Sequence, residues 1–484
     1  MNSASPLTQE IYHHINGLKH INIVDGTGFS AIFVVNTPIF DNSGVAHGVE
    51  HMVFRRSVAF PKSETLFQLS SLTDAKINAS TLADTTYFHC QSQSAETFIL
   101  AINYLLNGLF NPIFDTEDMH CEIHNGNNKG VIYRELIGIE QATHQGAKSP
   151  TNNIQDDFCY GGVSTSIGDL TLTDLKMFHQ RYYQATNITL VTANADIEQI
   201  SNLVGLLPKK QSSKQKEIAL DKHKKSSQQH ASKEFQQTKY SEAINKLIHV
   251  YHLWLQQPHL QKVVNYRDIK SADKPLTSNS DALPVISKGD LIVPLVILSD
   301  RLIKGAVNDK SINIAIKTSS NIQLLPQILS KLCQQAKRQL SINELNAHKN
   351  QTYVIDERNT LWLTNIEANE YILANIASYI ISAYPKFLTP RCQGFCYAIQ
   401  ALTIENSAYL AIFSVFDIYP NTRLKNILFC LESLSEDSHF ISMSLALAKI
   451  KYCQTYQVNN SQVVNITPTD ISAYLQTLSN RSHL

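Results

Sequence analysis

His47-Gly48-Val49-Glu50-His51 places two imidazoles and a carboxylate within five residues. On a helix, residues four positions apart share a face, so His47 and His51 can present ring nitrogens to one metal ion. Glu50 lies between them on nearly the same side, where it could take a proton from a water held by that metal. The order H-x-x-E-H inverts the commoner H-E-x-x-H zinc motif and follows the same logic. The stretch therefore predicts a helix with a catalytic metal site; the alternative is a polar helix face with two unrelated histidines.

The segments on either side of this motif alternate between strand and helix patterns. The polar turn Asp41-Asn42-Ser43-Gly44 offers helix caps, so the motif helix should begin directly after it. Apolar runs predict strands at residues 21–24, 31–35, 86–91 and 188–193. Apolar residues at helical spacing predict helices at 98–110 and 197–206. This alternation indicates an α+β or α/β unit that ends near Leu207.

The length and a shift in composition predict more than one domain. A chain of 484 residues is too long for one compact core. Residues 208–233 hold eight lysines and few apolar residues, which is typical of a linker or a solvated helix. A helical pattern follows at 238–264, and a second mixed segment contains a strand-like run at 290–298, a helical stretch at 322–340 and a strand at 409–415. We therefore predict a metal-bearing domain at 1–207, a Lys/Gln-rich linker and helical connector at 208–275, and a second α/β domain, which would contact substrate, at 276–484.

The overall composition argues against nucleic acid and membranes as partners. The 41 basic and 41 acidic residues cancel, so no net field favours either surface. The lysine-rich linker could contact nucleic acid, but it lacks interleaved aromatic residues, and a solvated connector is the preferred interpretation. No run approaches the length of a membrane-spanning helix, and the first residues lack a secretory signal pattern. Eight cysteines without C-x-x-C pairs suit reduced thiols, so a cytoplasmic location is expected.

Several segments follow a known family in order along the chain. They are Phe40-Asp41-Asn42-Ser43-Gly44-Val45-Ala46 before the motif, Asn78-Ala79-Ser80-Thr81 with Asp84 and Tyr87, Lys129-Gly130-Val131-Ile132-Tyr133-Arg134-Glu135, Arg391-Cys392-Gln393-Gly394-Phe395-Cys396-Tyr397, and Thr467-Pro468-Thr469-Asp470-Ile471. In these segments the chain resembles the insulinase/pitrilysin metallopeptidase family and, within it, the presequence-protease branch. The resemblance covers residues 18–205 and reappears more loosely near the C-terminus.

The resemblance implies a fold as well as a site. We expect two related α/β sandwich domains of the insulinase/processing-peptidase type, each an antiparallel sheet covered by helices, joined by the linker in an α+β chain. Full-length members of the branch are longer, and their central region looks reduced here. Either the two domains face each other within one chain, or two chains pair so that Arg391 and Tyr397 of one complete the metal site of the other. Shorter relatives favour the second arrangement, a homodimer.

The resemblance also assigns the metal and its ligands. His47, His51 and Glu135 would bind one Zn²⁺ per chain and leave one position open for water. Glu135 lies 84 residues beyond His51, and its alternative role is an exposed helix carboxylate. Glu122 and Glu140 are weaker candidates, either of which could instead orient a histidine.

Peptide hydrolysis is the activity that the resemblance implies. Glu50 would be the general base on a zinc-bound water. An extended peptide substrate would add to the strand edge at Asn78 and Ala79 through main-chain hydrogen bonds, which predicts broad specificity. Arg391 and Tyr397 would hold the substrate and stabilise the developing oxyanion. The alternative for Asn78 and Ala79 is a strand end with polar turn residues. The alternative for Arg391 and Tyr397 is a surface arginine with a core tyrosine.

The function predicted from the sequence is that of a zinc metalloendopeptidase acting on short, unstructured peptides. The chain keeps His47, Glu50, His51 and Glu135, one of which inactive relatives typically lose. The alternative is a catalytically inactive peptide-binding or partner subunit of the same family, which need not hold zinc.

Overall fold

The computed structural model describes residues 9–24, 28–82, 84–127, 130–144, 161–207, 351–404 and 409–481 apart from 457, 460 and 462, with short helical pieces within 240–248 and 328–339. In these residues the chain forms two α/β units, each with a sheet covered by helices, so the predicted fold class is confirmed. The N-terminal sheet has the order β1-β2-β6-β3-β5-β4, and its strands are β1 Gln9–His13, β2 Lys19–Ile23, β3 Phe29–Asn36, β4 Lys76–Thr81, β5 Thr85–Ser92 and β6 Ile188–Ala193.

Helices bury both faces of the N-terminal sheet. Those of this unit are α1 Val45–Arg55, α2 Thr65–Leu72, α3 Ala95–Phe110, α4 Thr116–Glu122, α5 Val131–His144, α6 Leu172–Tyr182 and α7 Ile197–Leu206. Side chains alternate across a strand, so Ala31 and Phe33 of β3 enter the main core while Ile32 and Val34 face the other side. The helical piece within 240–248 lies on that other side, where Tyr240 donates a hydrogen bond to the Val34 carbonyl at 2.8 Å.

The predicted antiparallel character of this sheet is wrong at one pair of strands. β2 and β6 run parallel, with Ile21 opposite Val191, whereas the other neighbouring strands pair antiparallel. A parallel pair requires a long crossover connection rather than a hairpin. The chain from β2 to β6 provides it, because its described residues form three other strands and six α-helices before β6 enters between β2 and β3.

The C-terminal unit is built around a four-stranded antiparallel sheet. Its order is β7-β8-β10-β9, with β7 Gln351–Ile355, β8 Thr360–Asn365, β9 Ala398–Ile404 and β10 Tyr409–Val415. Its helices are α8 Tyr371–Ala383, α9 Pro385–Cys392, α10 Pro420–Glu436, α11 Ser438–Tyr456 and α12 Pro468–Arg481. Trp362 and Ile412 pack against these helices, and Leu361 and Phe413 pack on the other face against the helical piece within 328–339.

The element bounds agree closely with the sequence patterns. The strands at 188–193 and 409–415 and the helix at 197–206 have the predicted limits. α3 begins earlier than predicted because the Ser94 side chain caps it, accepting a hydrogen bond from the Thr97 amide. The described pieces of the predicted helices 238–264 and 322–340 are helical. The strand at 290–298 and the lysine-rich stretch at 208–233 lie outside the described residues, and the ranges of the three segments remain predictions.

Helix α2 belongs in sequence to the N-terminal unit but packs into the core of the C-terminal unit. Leu72 and Phe67 are part of that core. Lys451 of α11 donates from Nζ to the carbonyls of Ser70 and Ser71 at 2.7 and 2.8 Å, which supplies donors to the last turn of α2. Burial lowers the pKa of Lys451 well below its ordinary value. The two units therefore share a packed interface.

Gly394 lies where the backbones of the two units are in close contact. Its φ is +71°, and a Cβ at this position would lie 2.2 Å from the Cys121 carbonyl oxygen. Its own carbonyl accepts a hydrogen bond from the Gly130 amide at 3.2 Å. Only glycine combines this φ with so close a contact.

Gly394→Ala is expected to lower the free energy of unfolding by about 2–4 kcal/mol, roughly 1 from the positive φ and the rest from the clash. Gly126→Ala is the matched control, because Gly126 has φ +80° but no atom within 4 Å of the added Cβ. Urea unfolding of both variants measures the difference. Equal losses would contradict a close backbone contact between the units at Gly394.

A chain of hydrogen-bonded polar side chains is buried near the other edge of the N-terminal sheet. The Nδ1 of His20 lies 3.0 Å from His14 Nε2, and its Nε2 lies 2.7 Å from the Thr192 hydroxyl. That hydroxyl donates to Asn22 Oδ1 at 2.8 Å. Burial, helped by the charge of His14, lowers the pKa of His20 to about 3.

This histidine predicts acid destabilisation of the fold. An unfolded imidazole titrates near ~6.5, so below that pH the unfolded state binds a proton that the folded state excludes, and stability falls as pH falls towards the folded pKa. From pH 7 to 5 the expected loss is about 2 kcal/mol. His20→Gln should remove that much of the pH dependence of the urea-unfolding free energy, and His120→Gln, at an exposed position, should not. A His20→Gln protein with the wild-type pH dependence would refute the assignment.

Candidate metal centre

The motif helix α1 gives its functional side chains a rigid support. It begins directly after Gly44, as predicted, and the φ of Gly44 is 74°. Val49 and Met52 are fully buried in the core. Gly48 lets α6 come close, because a Cβ there would lie 3.0 Å from the Leu175 side chain. Packing on these sides fixes the face that carries the two histidines.

The structure brings His47, His51 and Glu135 together. One ligand atom from each lies within 4.8 Å of the other two. Oε2 of Glu135, on α5, is 3.7 Å from His47 Nε2 and 3.9 Å from His51 Nε2. Ligand atoms bound tetrahedrally to zinc at ~2.1 Å lie roughly 3.4 Å apart, so small side-chain shifts would bring all three to bonding distance.

The other ring nitrogen of each histidine already has a partner. His47 Nδ1 lies 3.0 Å from the Gly161 carbonyl, which can only accept, so this nitrogen carries the proton. His51 Nδ1 lies 3.2 Å from Glu122 Oε2. With Nδ1 protonated, a neutral imidazole offers the lone pair on Nε2, which is how metal-binding histidines are commonly held. Two imidazole nitrogens and a carboxylate oxygen form a donor set that fits zinc.

Glu50 is buried beside the three candidate ligands. Its Oε2 accepts a hydrogen bond from the Thr81 hydroxyl at 2.5 Å, which ties the carboxylate to strand β4. Burial raises the pKa of Glu50, although the charges of His47 and His51 and the Thr81 hydrogen bond oppose the shift. A carboxylate with a raised pKa and a fixed orientation is suited to accepting and returning a proton.

Glu122, at the end of α4, connects His51 to both units. Its Oε1 accepts hydrogen bonds from Arg55 Nη1 and Arg391 Nη1, each at 2.9 Å. Arg55 also donates from Nη2 to the Cys392 carbonyl at 2.5 Å. Burial alone would raise the pKa of Glu122, but the charge of Arg391, the hydrogen bond from His51 and the charge of Arg55 hold it well below its ordinary value. Glu122 thus stands where it can orient a histidine, the lesser role considered for it from the sequence.

Glu140, the other carboxylate considered for that role, contacts a loop instead. It accepts hydrogen bonds from the Ser164 amide at 2.9 Å and the Ser164 hydroxyl at 2.7 Å. Ser164 follows Gly161 by three residues, and the Gly161 carbonyl is the partner of His47 Nδ1. Glu140 therefore steadies the loop that orients His47.

Two of the predicted substrate-contacting residues lie on β4, whose Thr81 contacts Glu50, and a third, Tyr397, lies close to the cluster. β4 is the last strand of its sheet, where Asn78 is exposed and Ala79 is buried. Tyr397 reaches the cluster from the C-terminal unit, since its pKa is raised first by the negative charge of Glu135 and then by burial, with a smaller contribution from Glu50. One chain therefore supplies groups from both of its units to the same site.

Arg391 has a different neighbour from the one predicted. Its guanidinium donates to Glu122 and lies 5.1 Å from the centre of the Phe67 ring. Its side chain is only 11% exposed. The alternative of a surface arginine is therefore wrong, because the guanidinium forms an ion pair with the buried carboxylate of Glu122. A contact between Arg391 and the substrate remains a prediction.

Two groups at the site, Arg55 and the Gly161 carbonyl, were not predicted from the sequence, and neither was the contact of Thr81 with Glu50. Arg55 lies four residues after His51, just as His51 lies four residues after His47, so all three share one face of the helix. This spacing could have indicated that Arg55 lies at the site. Thr81 reaches Glu50 only because β4 packs beside α1. Gly161 contributes a backbone carbonyl, which no side-chain pattern signals.

The fold and the cluster define an α/β protein with a His-His-Glu centre on an inverted zinc motif. The family model described as "Insulinase (Peptidase family M16)" matches residues 40–131, which include α1. Presequence protease 1, chloroplastic/mitochondrial, of Arabidopsis thaliana is 28% identical over 173 residues, which are 32% of this chain and 16% of that protein. The mitochondrial presequence protease of Saccharomyces cerevisiae is 28% identical over 206 residues, which are 38% of this chain and 20% of that protein.

Residues 40–131 are thus similar to the insulinase family of peptidases, and the resemblance predicted from the sequence motifs is confirmed over this part of the chain. The aligned regions span no more than 20% of either presequence protease. The crystal structure of pitrilysin aligns over 98% of this chain and 44% of its own, with 14% identity and a TM-score of 0.34, a likeness too slight to support a conclusion. Among the helices that the structure describes, none is both long and apolar enough to cross a membrane.

Proposed function

We propose that this chain is a zinc-dependent endopeptidase that hydrolyses short, unstructured peptides. The observation that carries the proposal is the pair of histidines whose Nδ1 atoms have acceptors and whose Nε2 atoms lie 3.7 and 3.9 Å from Glu135 Oε2. The match of residues 40–131 to the insulinase peptidases supports peptide-bond hydrolysis as the reaction class. A bound zinc ion would supply a Lewis acid that polarises the peptide carbonyl and acidifies water.

Glu50 is the proposed general base. It accepts the proton of the attacking water on one carboxylate oxygen and later returns that proton to the leaving amine. The Thr81 hydroxyl holds Glu50 Oε2 in place through both transfers. The raised pKa of Glu50 brings its proton affinity closer to those of the attacking water and the leaving amine, which favours proton transfer from the one and to the other.

The substrate is proposed to bind between the two units in an extended conformation. Its main chain would pair with the outer edge of β4 at Asn78 and Ala79. Such pairing recognises backbone groups that every peptide carries, so it favours unfolded segments of varied sequence. The Tyr397 hydroxyl, close to Glu135 and Glu50, would donate a hydrogen bond to the carbonyl oxygen as negative charge develops there.

The oligomeric state and the compartment are separate proposals. Tyr397 lies near Glu135 of its own chain, so a second chain is not needed to bring it to the site. A homodimer remains a prediction, but it is not needed to supply Tyr397 to the site. Light scattering of the purified protein measures the oligomeric state. The described cysteines are free thiols, which suits the predicted cytoplasmic location.

Peptide cleavage tests the function directly. Zinc-loaded protein is incubated with a quenched fluorescent peptide about 20 residues long, a length that an extended cleft can hold at ~3.3 Å per residue. We expect internal cleavage, loss of activity with a chelator such as 1,10-phenanthroline, and recovery on adding zinc. A small folded protein serves as the control substrate and should stay intact.

The same experiment separates the two functions considered from the sequence. Cleavage that survives chelation would refute the metal-dependent mechanism. A protein that holds zinc and binds the fluorescent peptide without cutting it would instead be a peptide-binding subunit, and fluorescence anisotropy measures that binding.

A further inference from the structure

Building on the metal site of the proposed function, we propose that Arg391 is a positioning residue that acts on the metal centre through Glu122. Its guanidinium comes from the C-terminal unit, whereas Glu122 and the metal-binding helix α1 belong to the N-terminal unit. Docking of one unit would thereby set the orientation of a metal ligand in the other.

The contacts of Arg391 leave its guanidinium little freedom. Nη1 donates to Glu122 Oε1 at 2.9 Å, and the Phe67 ring lies 5.1 Å from the guanidinium carbon. Glu122 is 3% exposed, and both of its oxygens are used, Oε1 by Arg391 and Arg55 and Oε2 by His51. The carboxylate is therefore held at a fixed angle to the imidazole.

The charges of this cluster balance. Three carboxylates meet three guanidinium groups in one network: Asp115, Asp118 and Glu122 with Arg55, Arg56 and Arg391. Arg55 is shared between Glu122 and Asp118. Loss of Arg391 would leave three carboxylates with two guanidinium groups, so Glu122 would depend on Arg55 alone, which also pairs with Asp118, and an incompletely compensated buried charge is costly.

The consequence for the metal follows from the histidine tautomer. Glu122 Oε2 holds Nδ1 of His51, and this contact aims Nε2 towards Glu135. Partners of this kind fix the ring of a ligand histidine, and their loss typically lowers metal affinity ~10–100-fold. This coupling is reciprocal. If docking of the C-terminal unit through Arg391 raises the metal affinity, metal binding stabilises that docking by the same free energy.

Arg391 and Tyr397 thus separate in role, although both were assigned to the substrate from the sequence. Tyr397 lies near Glu135 and Glu50, where a substrate carbonyl would be. Arg391 instead uses its guanidinium on a carboxylate that contacts a proposed ligand.

Zinc affinity of the full chain tests this role, measured by competition with a chromophoric chelator. Arg391→Met replaces the guanidinium beside Phe67 with an uncharged, unbranched side chain and is expected to bind zinc about 10-fold more weakly, at the lower end for outer partners. Arg391→Lys keeps the positive charge and should recover most of that loss. Arg56→Met is the matched control, since Arg56 pairs with Asp115 and Asp118 in the same cluster and its zinc affinity should stay near that of wild type.

A double-mutant cycle with Glu122→Gln shows whether Arg391 acts through that carboxylate. In the Glu122→Gln background, Arg391→Met should cause no further loss of zinc affinity. The visible absorption of the Co²⁺-loaded protein should change in Arg391→Met and not in Arg56→Met, which a merely structural role would not produce.

Two results would overturn the proposal. One is unchanged zinc affinity in Arg391→Met with only a raised KM, which would make Arg391 a substrate contact. The other is a full additional loss in the Glu122→Gln background. Thermal unfolding without metal checks that each variant is folded, and Arg391→Gln replaces Arg391→Met in the cycle if the latter is not. Wild type that holds zinc but cuts no peptide would refute the proposed peptidase and leave these binding measurements fully informative.

Discussion

Replacing Glu50 with glutamine is expected to lower kcat for peptide cleavage about 10³-fold, within the range for losing a general base. Zinc should remain bound, because Glu50 is not among the three candidate ligands. Glutamine has the same shape, and its oxygen can still accept the hydrogen bond from Thr81. It cannot accept a proton from water. The measurement is cleavage of the quenched peptide at equal zinc content, determined by elemental analysis.

Two further variants make the Glu50→Gln result specific. Glu117→Gln removes an exposed carboxylate on α4 and should leave kcat unchanged. Thr81→Val keeps the base but removes the hydroxyl that orients it, so a smaller loss of about 10-fold is expected, at or below the lower end for acid–base catalysis. If Glu50→Gln keeps more than a tenth of the wild-type kcat with zinc bound, another group must take the proton.

The local part of this site could be predicted from the sequence. The spacing of His47, Glu50 and His51 sets their positions on a helix, and the turn before Gly44 sets where that helix begins. Glu135 could not be found in that way, because it lies on another helix and 84 residues beyond His51. The family resemblance supplied it, and the structure brings its Oε2 near both histidines.

The tertiary part of the site could not be predicted, for physical reasons. The contacts of Thr81 with Glu50 and of Arg391 with Glu122 depend on which elements pack together, and their sequence patterns are those of any strand or helix end. The Gly161 carbonyl is a backbone group that every residue carries.

The N-terminal sheet shows the same limit. The apolar run at Ile188–Ala193 predicts a buried strand, and its bounds are as expected. Its pairing in parallel with β2 and antiparallel with β3 is not encoded in that run, because main-chain groups form the ladder in either direction. Which strands neighbour it depends on how the intervening helices cover the sheet.

Glu135→Gln is expected to weaken zinc binding by more than about 100-fold, beyond the ~10–100-fold typical of losing an outer partner. The substitution replaces an anionic ligand with a neutral amide and leaves two imidazoles, one ligand short of a catalytic zinc site. Peptide cleavage at limiting zinc should fall by at least the same factor. Chelator competition measures the affinity, and Glu117→Gln, which removes an exposed carboxylate on α4, is the control.

The order of three glutamine variants then decides which carboxylate is the ligand. Glu135→Gln should lose the most zinc affinity, Glu122→Gln about 10–100-fold, and Glu140→Gln the least. Glu122 lies 3.2 Å from Nδ1 of His51, whereas Glu135 lies 3.9 Å from Nε2 of the same ring, so the two carboxylates approach opposite sides of one imidazole. If Glu122→Gln lost more zinc than Glu135→Gln, the metal would sit on the Nδ1 side. On that side Arg55 and Arg391 already donate to Glu122, and the positive charges of these two arginines oppose the binding of a cation there. The Nε2 side, where His47 and Glu135 converge, is therefore the side on which the ion is expected.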